Sequence, residues 1–233
     1  MRLLGISALL ASLYLLVPVA NGAAPPKAKM PIFPAAGPVV VPTVIARAKP
    51  SDSASRVMVI HQFRDDYRAQ YVLAIKGQRA KNGVVWVKLQ LQMRPNGRTG
   101  WVRASALQLT HVHDKIVVHR GLRKIDLYHD GALAYTAAVA IGSPGRETPL
   151  GKFYVTARFV PDDPFLGVFA VETSAYSKMT EWPGGGLVGI HGTSAPQLIG
   201  QAVSHGCVRV LNSTAVKLRT YAPLGTPIEI VAN

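Results

Sequence analysis

The residues of this 233-residue chain that are best suited to chemistry lie in two short glycine-containing stretches near its C-terminal end. One reads Gly-Ile-His-Gly-Thr over residues 189–193, and the other reads Ser-His-Gly-Cys-Val-Arg-Val-Leu-Asn over residues 204–212. The second stretch contains Cys207, the single cysteine of the chain, so no intramolecular disulfide can form. A lone thiol is either inert core filling or a nucleophile, and the polar, histidine-bearing surroundings of Cys207 favour the nucleophile.

A nucleophilic cysteine needs help from its neighbours, because a free thiol with a pKa of about 8.5 is only slightly ionised at neutral pH. Three residues are candidate sources of a base or a positive environment: His191, His205 and Arg209. The glycines allow tight turns that expose backbone amides, so the amides of His205, Gly206 and Cys207 could bind the oxyanion of a tetrahedral intermediate. Each such donor is worth about 3 to 4 kcal/mol in known enzymes.

The elements ahead of these stretches have the sequence pattern of β-strands. Apolar and polar residues alternate over residues 85–93, which predicts a half-buried strand. The order Arg-Pro-Asn-Gly over residues 94–97 suits a turn, and a return strand is predicted over residues 99–102. Short strands joined by polar turns favour a small β barrel over residues 44–109.

The C-terminal half has the same character. Strands are predicted over residues 133–141 and 153–159, with Asp130-Gly131 as the turn of a hairpin. The clearest helical pattern covers residues 213–221, with Asn212 as its predicted N-cap. The sequence therefore predicts a mainly β protein with few, short helices.

The two glycine-containing stretches resemble the signature of the L,D-transpeptidase catalytic domain, also called the YkuD domain. His-Gly-Thr at residues 191–193 is followed after a gap by Ser-His-Gly-Cys, a hydrophobic residue, Arg and a later Asn within residues 204–212. Residues 148–153 (Thr-Pro-Leu-Gly-Lys-Phe) and 223–228 (Pro-Leu-Gly-Thr-Pro-Ile) are similar to further family segments. The resemblance implies a mostly β catalytic domain over residues 110–233.

A second, shorter resemblance lies upstream. Residues 86–102 look like part of the bacterial SH3-like module that precedes this catalytic domain in some members of the family. The resemblance implies an SH3-like β barrel over residues 44–109 ahead of the catalytic domain.

The family resemblance implies a role for each residue of the candidate site. Cys207 would attack the carbonyl between the third residue, of diaminopimelate type, and the D-Ala fourth residue of a peptidoglycan stem. His191 would exchange the proton with the thiol while a backbone carbonyl holds its other ring nitrogen. The predicted auxiliary or oxyanion residues are His205, Gly206 and Ser204. The predicted substrate-binding residues are Arg209, Gly192 and Thr193, of which Gly192 and Thr193 would also position His191.

The implied reaction has two steps. The thiolate expels D-Ala and forms a thioester, and the side-chain amine of a neighbouring stem then attacks the thioester to form a cross-link. Water as the acceptor would instead make the protein an L,D-carboxypeptidase or cysteine peptidase that trims stems, and a third possibility is a catalytically silent wall-binding protein. The chemistry needs no metal or organic cofactor, and His111 and His113 are expected to be surface or interdomain histidines.

The first residues have the pattern of an export signal. Residues 1–22 combine a basic start, an apolar run and a small-residue exit. An uncleaved membrane anchor is the alternative, but Pro18 and the small residues after it favour cleavage. The six prolines of residues 23–43 predict an extended linker. We therefore expect an exported protein in the cell wall or periplasm, whose mature form does not span a membrane.

Composition and charge complete the sequence-based predictions. Hydrophobic residues make up 48% and charged residues 16% of the chain, which excludes a highly charged disordered protein. The net charge of +14 divides into +5 for residues 1–50, +7 for residues 51–110 and +2 for residues 111–233. The basic N-terminal part therefore predicts binding to an anionic cell-wall surface, with no nucleic acid expected for an exported protein. A basic surface that only aids solubility is the alternative.

Overall fold

The computed structural model describes residues 29–181 and 183–233, and in these ranges its regular secondary structure is mainly β-strand, with one α-helix. The predicted mainly β fold class is thus confirmed. The predicted export signal over residues 1–22 lies outside the described residues. In the described ranges, no helix combines the length and apolar character needed to cross a membrane.

The N-terminal sheet has seven antiparallel strands in the described chain, ordered β3-β2-β6-β5-β4-β1-β7. The strands are β1 (Ala35–Pro38), β2 (Thr43–Arg47), β3 (Arg56–His61), β4 (Tyr71–Arg79), β5 (Val85–Gln90), β6 (Thr99–Arg103) and β7 (Thr110–His111). A strand is present where alternation predicts one, but β5 ends at Gln90 and not at residue 93, and Trp86 is buried together with Val87 and Leu89. The sheet encloses its own apolar core, which makes residues 35–111 one structural module.

The proline-rich segment contributes a strand to this module, so the linker prediction for residues 23–43 is wrong from Ala35 onward. Ala35–Pro38 pairs with β4 along its whole length and with β7 at its first two residues. Proline cannot donate to a ladder, and here Pro34 and Pro38 bracket three residues that can. The module therefore begins at Ala35 and not at residue 44.

Within the described residues, the C-terminal sheet has nine strands, ordered β14-β10-β15-β13-β12-β11-β16-β8-β9, and a further pairing between β9 and β10 closes it into a barrel. Its elements are β8 (Asp114–His119), β9 (Lys124–His129), β10 (Ala132–Gly142), β11 (Gly151–Phe159), β12 (Ala170–Tyr176), β13 (Leu187–His191), β14 (Ala202–Ser204), β15 (Val208–Val210), α1 (Asn212–Tyr221) and β16 (Pro227–Val231). Short 3₁₀ turns cover Ala104–Ala106, Pro164–Leu166, Pro183–Gly186 and Pro196–Leu198.

Two local predictions are confirmed in this sheet. Asp130 and Gly131 both have positive φ, at 47° and 78°, as the tight turn between β9 and β10 requires. The helix predicted over residues 213–221 is α1, and its Ala215 and Leu218 are buried in the apolar core of the barrel.

The two modules pack directly against each other. Ala36 and Leu73 of the N-terminal module form a buried apolar cluster with Tyr154 of β11. Arg64 Nη2 of the N-terminal module also pairs with Glu172 Oε1 of β12 at 2.8 Å. The N-terminal module is therefore in firm contact with the strands that lead to the candidate site.

Candidate active site

Two neighbouring parallel strands bring the thiol of Cys207 and the imidazole of His191 to one place. β13 pairs with β15 so that Ile190 lies opposite Val208 and His191 opposite Arg209. One step back, this register sets Gly189 beside Cys207, which directly precedes β15. The Gly189 N–H donates to Cys207 Sγ at 3.3 Å.

Gly189 leaves an open space beside the side chains of His191 and Cys207, because it has no side chain of its own. A Cβ atom at this position would lie 3.8 Å from His191 Cδ2 and 4.0 Å from Cys207 Sγ. The imidazole and the thiol therefore border the same small space. A glycine keeps that space open for a proton transfer or for a substrate group.

His191 is buried, with 4% of its surface exposed, and its tautomer follows from its contact. Nδ1 lies 2.6 Å from the Gly192 carbonyl oxygen, which can only accept, so Nδ1 carries the hydrogen and Nε2 has a lone pair. Burial lowers the pKa of His191 to about 4; the Gly192 contact opposes this shift and the Arg209 charge adds to it. The imidazole is therefore neutral at physiological pH.

Cys207 is half-buried, and burial raises the pKa of its thiol above the usual value. The Gly189 amide and the Arg209 guanidinium oppose part of that rise, because both favour the thiolate. The resting pair is thus a thiol beside a neutral imidazole. Ionisation of the sulfur would be favoured at the moment when His191 takes up the proton.

Arg209 supplies a buried positive charge next to the thiol. Only 7% of its surface is exposed, and its guanidinium lies 4.6 Å from the centroid of the Phe165 ring. Its Nε is buried without a hydrogen-bond partner, and no carboxylate pairs with it among residues 29–181 and 183–233. A buried cation without a carboxylate is costly unless an anion binds to it, so this arrangement suits an anionic ligand.

The family model of YkuD, the L,D-transpeptidase catalytic domain, matches residues 113–230. The chain belongs to this family. The matched residues run from the start of β8 into β16, so the YkuD domain is the closed C-terminal barrel. His191 is the last residue of β13, and Cys207 directly precedes β15.

The chain is also similar to individual proteins of known sequence or structure. The chain is 29% identical to the YkuD protein of Bacillus subtilis (strain 168) over 147 residues, which are 60% of this chain and 83% of that protein. It is 33% identical to the YkuD protein of Bacillus licheniformis over 117 residues, which are 50% of this chain and 64% of that protein. A crystal structure of an L,D-transpeptidase from Enterococcus faecium is 22% identical with a TM-score of 0.41, covering 52% of this chain and 50% of that one. A structure of an L,D-transpeptidase from Mycobacterium tuberculosis H37Rv is 13% identical with a TM-score of 0.46, covering 70% and 90%.

Within the YkuD domain, Ser204 and Gly206 hold the cysteine loop together. Ser204 Oγ accepts from the Gly206 N–H at 3.1 Å and donates to the Cys207 carbonyl at 2.6 Å. The predicted oxyanion role of the Gly206 amide is therefore contradicted in this arrangement, because that N–H is already bonded. The auxiliary role predicted for Ser204 takes the form of these two bonds, which engage its buried hydroxyl within the cysteine loop.

His205 lies at the same loop but is engaged with a different group. Arg146 Nη1 donates to His205 Nε2 at 2.5 Å. Desolvation lowers the pKa of His205, and the charges of Arg146 and Arg209 lower it further. His205 is therefore a neutral acceptor for a guanidinium, and His191 is the better-placed base for the thiol.

Asn212 is a site residue whose role the sequence did not reveal. The N-cap of α1 is Leu211 and no side chain caps the helix, so the predicted capping role of Asn212 is wrong. Its Oδ1 instead accepts from the Thr193 N–H at 3.1 Å and the Val168 N–H at 3.3 Å. The side chain thus ties the segment after His191 to the turn that carries Phe165.

Gly192 and Thr193 directly follow His191 and are held in place by hydrogen bonds. Both are buried, and the Gly192 N–H donates to the Phe169 carbonyl at 3.1 Å. A Cβ atom at Gly192 would lie 2.2 Å from Asn212 Oδ1, which only a glycine avoids. These contacts support a positioning role for the two residues, and the substrate-binding role stays a prediction.

Phe165 completes the site and was not singled out by the sequence. Its ring centroid lies 6.5 Å from that of His191, and the ring covers the Arg209 guanidinium. Asp163 Oδ1 accepts from the Phe165 N–H at 2.9 Å and so fixes the turn. Phe165 is partly exposed, which makes it one wall of the entrance to the site.

Proposed function

We propose that this protein is an exported L,D-transpeptidase that cross-links peptidoglycan stems through a thioester on Cys207. Membership of the YkuD family supports a peptidoglycan cross-linking enzyme. The observation that carries the finer proposal is the space at Gly189, which the thiol of Cys207 and the neutral imidazole of His191 share. A thiol and a base on one side of a pair of strands are the two groups that covalent catalysis needs.

The first step forms the thioester. As Cys207 Sγ attacks the carbonyl carbon before D-Ala, its proton passes to Nε2 of His191, and the carbonyl oxygen becomes an oxyanion. The oxyanion collapses, the C–N bond breaks, and Nε2 returns the proton to the departing amine of D-Ala. The bond from Nδ1 to the Gly192 carbonyl holds the ring in the tautomer that both transfers require.

The second step releases the acyl group to an amine. The side-chain amine of a neighbouring stem attacks the thioester carbonyl, His191 accepts a proton from the amine, and the C–S bond breaks with the proton returning to sulfur. Water in place of the amine would give L,D-carboxypeptidase trimming by the same residues. A catalytically silent wall-binding protein is disfavoured because both members of the thiol–imidazole pair are present.

Arg209 supports recognition of the stem. A peptide stem has free carboxylates, and the buried guanidinium has no carboxylate partner in the described parts of the chain. Arg209 would therefore bind a stem carboxylate close to the reacting bond. Its charge also favours the thiolate, so one residue would serve both binding and attack.

The basic N-terminal module is proposed to hold the enzyme on an anionic wall polymer. Exposed cations on this module include Lys49, Arg56, Lys76 and Lys81. The SH3-like assignment of the module and the export by residues 1–22 stay predictions. Export is tested by where an epitope-tagged full-length chain is found after cell fractionation.

The transferase proposal is tested by mass spectrometry of muropeptides incubated with the purified protein. Disaccharide tetrapeptides are expected to yield cross-linked dimers with release of one D-Ala per dimer. Loss of D-Ala without dimers would assign the trimming reaction instead. If neither dimers nor free D-Ala form, the proposed activity on these stems is contradicted. The Cys207→Ala variant is the matched control and should form no dimers.

A further inference from the structure

The turn between β5 and β6 of the N-terminal module contacts the end of β12 in the YkuD domain. Asn96 Nδ2 donates to the Tyr176 carbonyl at 2.7 Å, and the Tyr176 N–H donates back to Asn96 Oδ1 at 3.0 Å. This pair of bonds is the one that a neighbouring strand would make. The Asn96 amide therefore takes the place of a strand partner at the end of β12.

Arg94 binds the connection between β12 and β13, which we call the 177–186 connection. Its Nη1 donates to the Ser177 carbonyl at 2.7 Å, and its Nη2 donates to the Gly185 carbonyl at 2.8 Å. The guanidinium also lies 4.7 Å from the centroid of the Tyr176 ring. One planar cation thus joins carbonyls from the two ends of the connection, a geometry that a lysine ammonium reproduces poorly.

The ends of the 177–186 connection are also joined to each other. The Ser177 N–H donates to the Gly186 carbonyl at 2.8 Å. Gly186 has a φ of 80°, and a Cβ atom there would lie 1.8 Å from the Met179 carbonyl oxygen and 2.9 Å from Arg94 Nη2. The two ends of the connection are therefore bonded to each other, and the Arg94 side chain contacts both of them.

Each end of this loop leads to the thiol. At one end, a Cβ atom on Gly206 would lie 2.9 Å from Ser177 Cβ, so the buried Ser177 packs against the residue before Cys207. At the other end, Gly186 continues into β13, whose Gly189 N–H donates to Cys207 Sγ. Arg94 thus spans the two supports that set the position of the sulfur.

We propose that Arg94 and Asn96 are positioning residues for Cys207, so that the N-terminal module takes part in the chemistry as well as in attachment to the wall. This inference rests on the proposed role of Cys207 as nucleophile. Loosening the loop would let the sulfur shift relative to His191 and Gly189. A mutation far from the reacting groups that misplaces them by about 1 Å can reduce the rate by as much as about 100-fold.

The test compares full-length variants in two assays: the rate of Cys207 alkylation by iodoacetamide and the kinetics of muropeptide cross-linking. Arg94→Gln is expected to lower the alkylation rate and kcat by about tenfold or more, with KM within about twofold. Arg94→Lys keeps the charge but should restore only part of the rate. Arg98→Gln removes a charge from an exposed residue close to the same turn and should leave both rates within about twofold of the parent chain.

The inference is overturned if Arg94→Gln behaves like Arg98→Gln, or if it changes KM alone. If Arg94→Gln does not fold, as judged by circular dichroism, Arg94→Lys and Asn96→Asp decide, since an alkylation rate equal to that of the parent in both would contradict the inference. The alkylation assay needs no peptidoglycan. A parent chain that makes no cross-links would refute the proposed function while the positioning role is still decided by alkylation.

Discussion

The backbone amide of Gly189 donates to the sulfur of Cys207 at 3.3 Å across the junction of β13 and β15. The contact exists because the parallel register sets Gly189 beside the residue that precedes β15. It means that the glycine contributes both a hydrogen-bond donor to the sulfur and the empty space that His191 and the thiol share.

Gly189→Ala tests that empty space directly. The added methyl group would sit 3.4 Å from the Val171 carbonyl oxygen, an ordinary contact, so we expect the melting temperature to change little. It would also sit between the imidazole and the thiol, so we expect kcat/KM for cross-linking to fall by about 100-fold. Unchanged kcat/KM in a folded Gly189→Ala protein would show that the space is not used in the reaction.

The pH dependence should reflect the neutral state of His191. Because burial lowers its pKa to about 4, the basic form is present above that value, and kcat/KM should lose activity only as the pH falls towards 4. The measurement is a pH profile of kcat/KM on a tetrapeptide stem. An acidic limb near pH 6.5 would mean that His191 titrates like an exposed histidine and would contradict this environment.

The same histidine should affect folding stability. A histidine whose folded pKa lies below its unfolded value of about 6.5 binds more protons when the chain is unfolded. Its contribution to stability is thus present above pH 6.5 and is lost as the pH falls from about 6.5 towards 4. Urea unfolding of the parent and of His191→Asn at several pH values should show a weaker pH dependence in the variant between these limits. Equal pH dependence in both would contradict the assignment.

The carboxamide of Asn212 should stabilise the folded protein. Removing its carboxamide in Asn212→Ala leaves the Thr193 and Val168 amides without their acceptor, which we expect to lower the free energy of unfolding by about 1 to 3 kcal/mol. Asn212→Asp keeps an acceptor oxygen and is the matched control. Denaturant unfolding measures the free energy of unfolding of both variants. An equal decrease in Asn212→Ala and Asn212→Asp would indicate that the acceptor oxygen is not what stabilises the fold.

Attachment to the wall should depend on charge in the N-terminal module. We expect Lys76→Gln/Lys81→Gln to reduce sedimentation with isolated cell walls, and higher salt to weaken binding of the parent. Lys217→Gln/Arg123→Gln makes the same change in net charge on exposed residues of the YkuD domain and should have a smaller effect. Equal losses would assign the binding to overall charge rather than to the module.

Local sequence was sufficient where the structure depends on neighbours in the chain. The hairpin at Asp130-Gly131 and the helix over residues 212–221 follow from turn and helix patterns, and both are present. The strand at Ala35–Pro38 was missed because its partners, β4 and β7, lie far along the chain. Proline density was a misleading signal there, since only the ends of the strand hold proline.

In the site, residue types were predictable but several contacts were not. Cys207, His191 and Arg209 come together as the signature implies. The bonds of Asn212 to Thr193 and Val168, and of Arg94 to Ser177 and Gly185, join residues 19 to 91 positions apart. No local pattern encodes such pairs, so only the folded chain reveals which polar side chain satisfies which backbone group.

The most direct test of the central claim is the intact mass of the protein after reaction with a tetrapeptide stem in the absence of an acceptor. We expect an adduct equal to the stem without D-Ala, attached to Cys207 and removed by hydroxylamine, with none on Cys207→Ala. Cross-linked products made by Cys207→Ala at the parent rate, or an adduct on another residue, would contradict it.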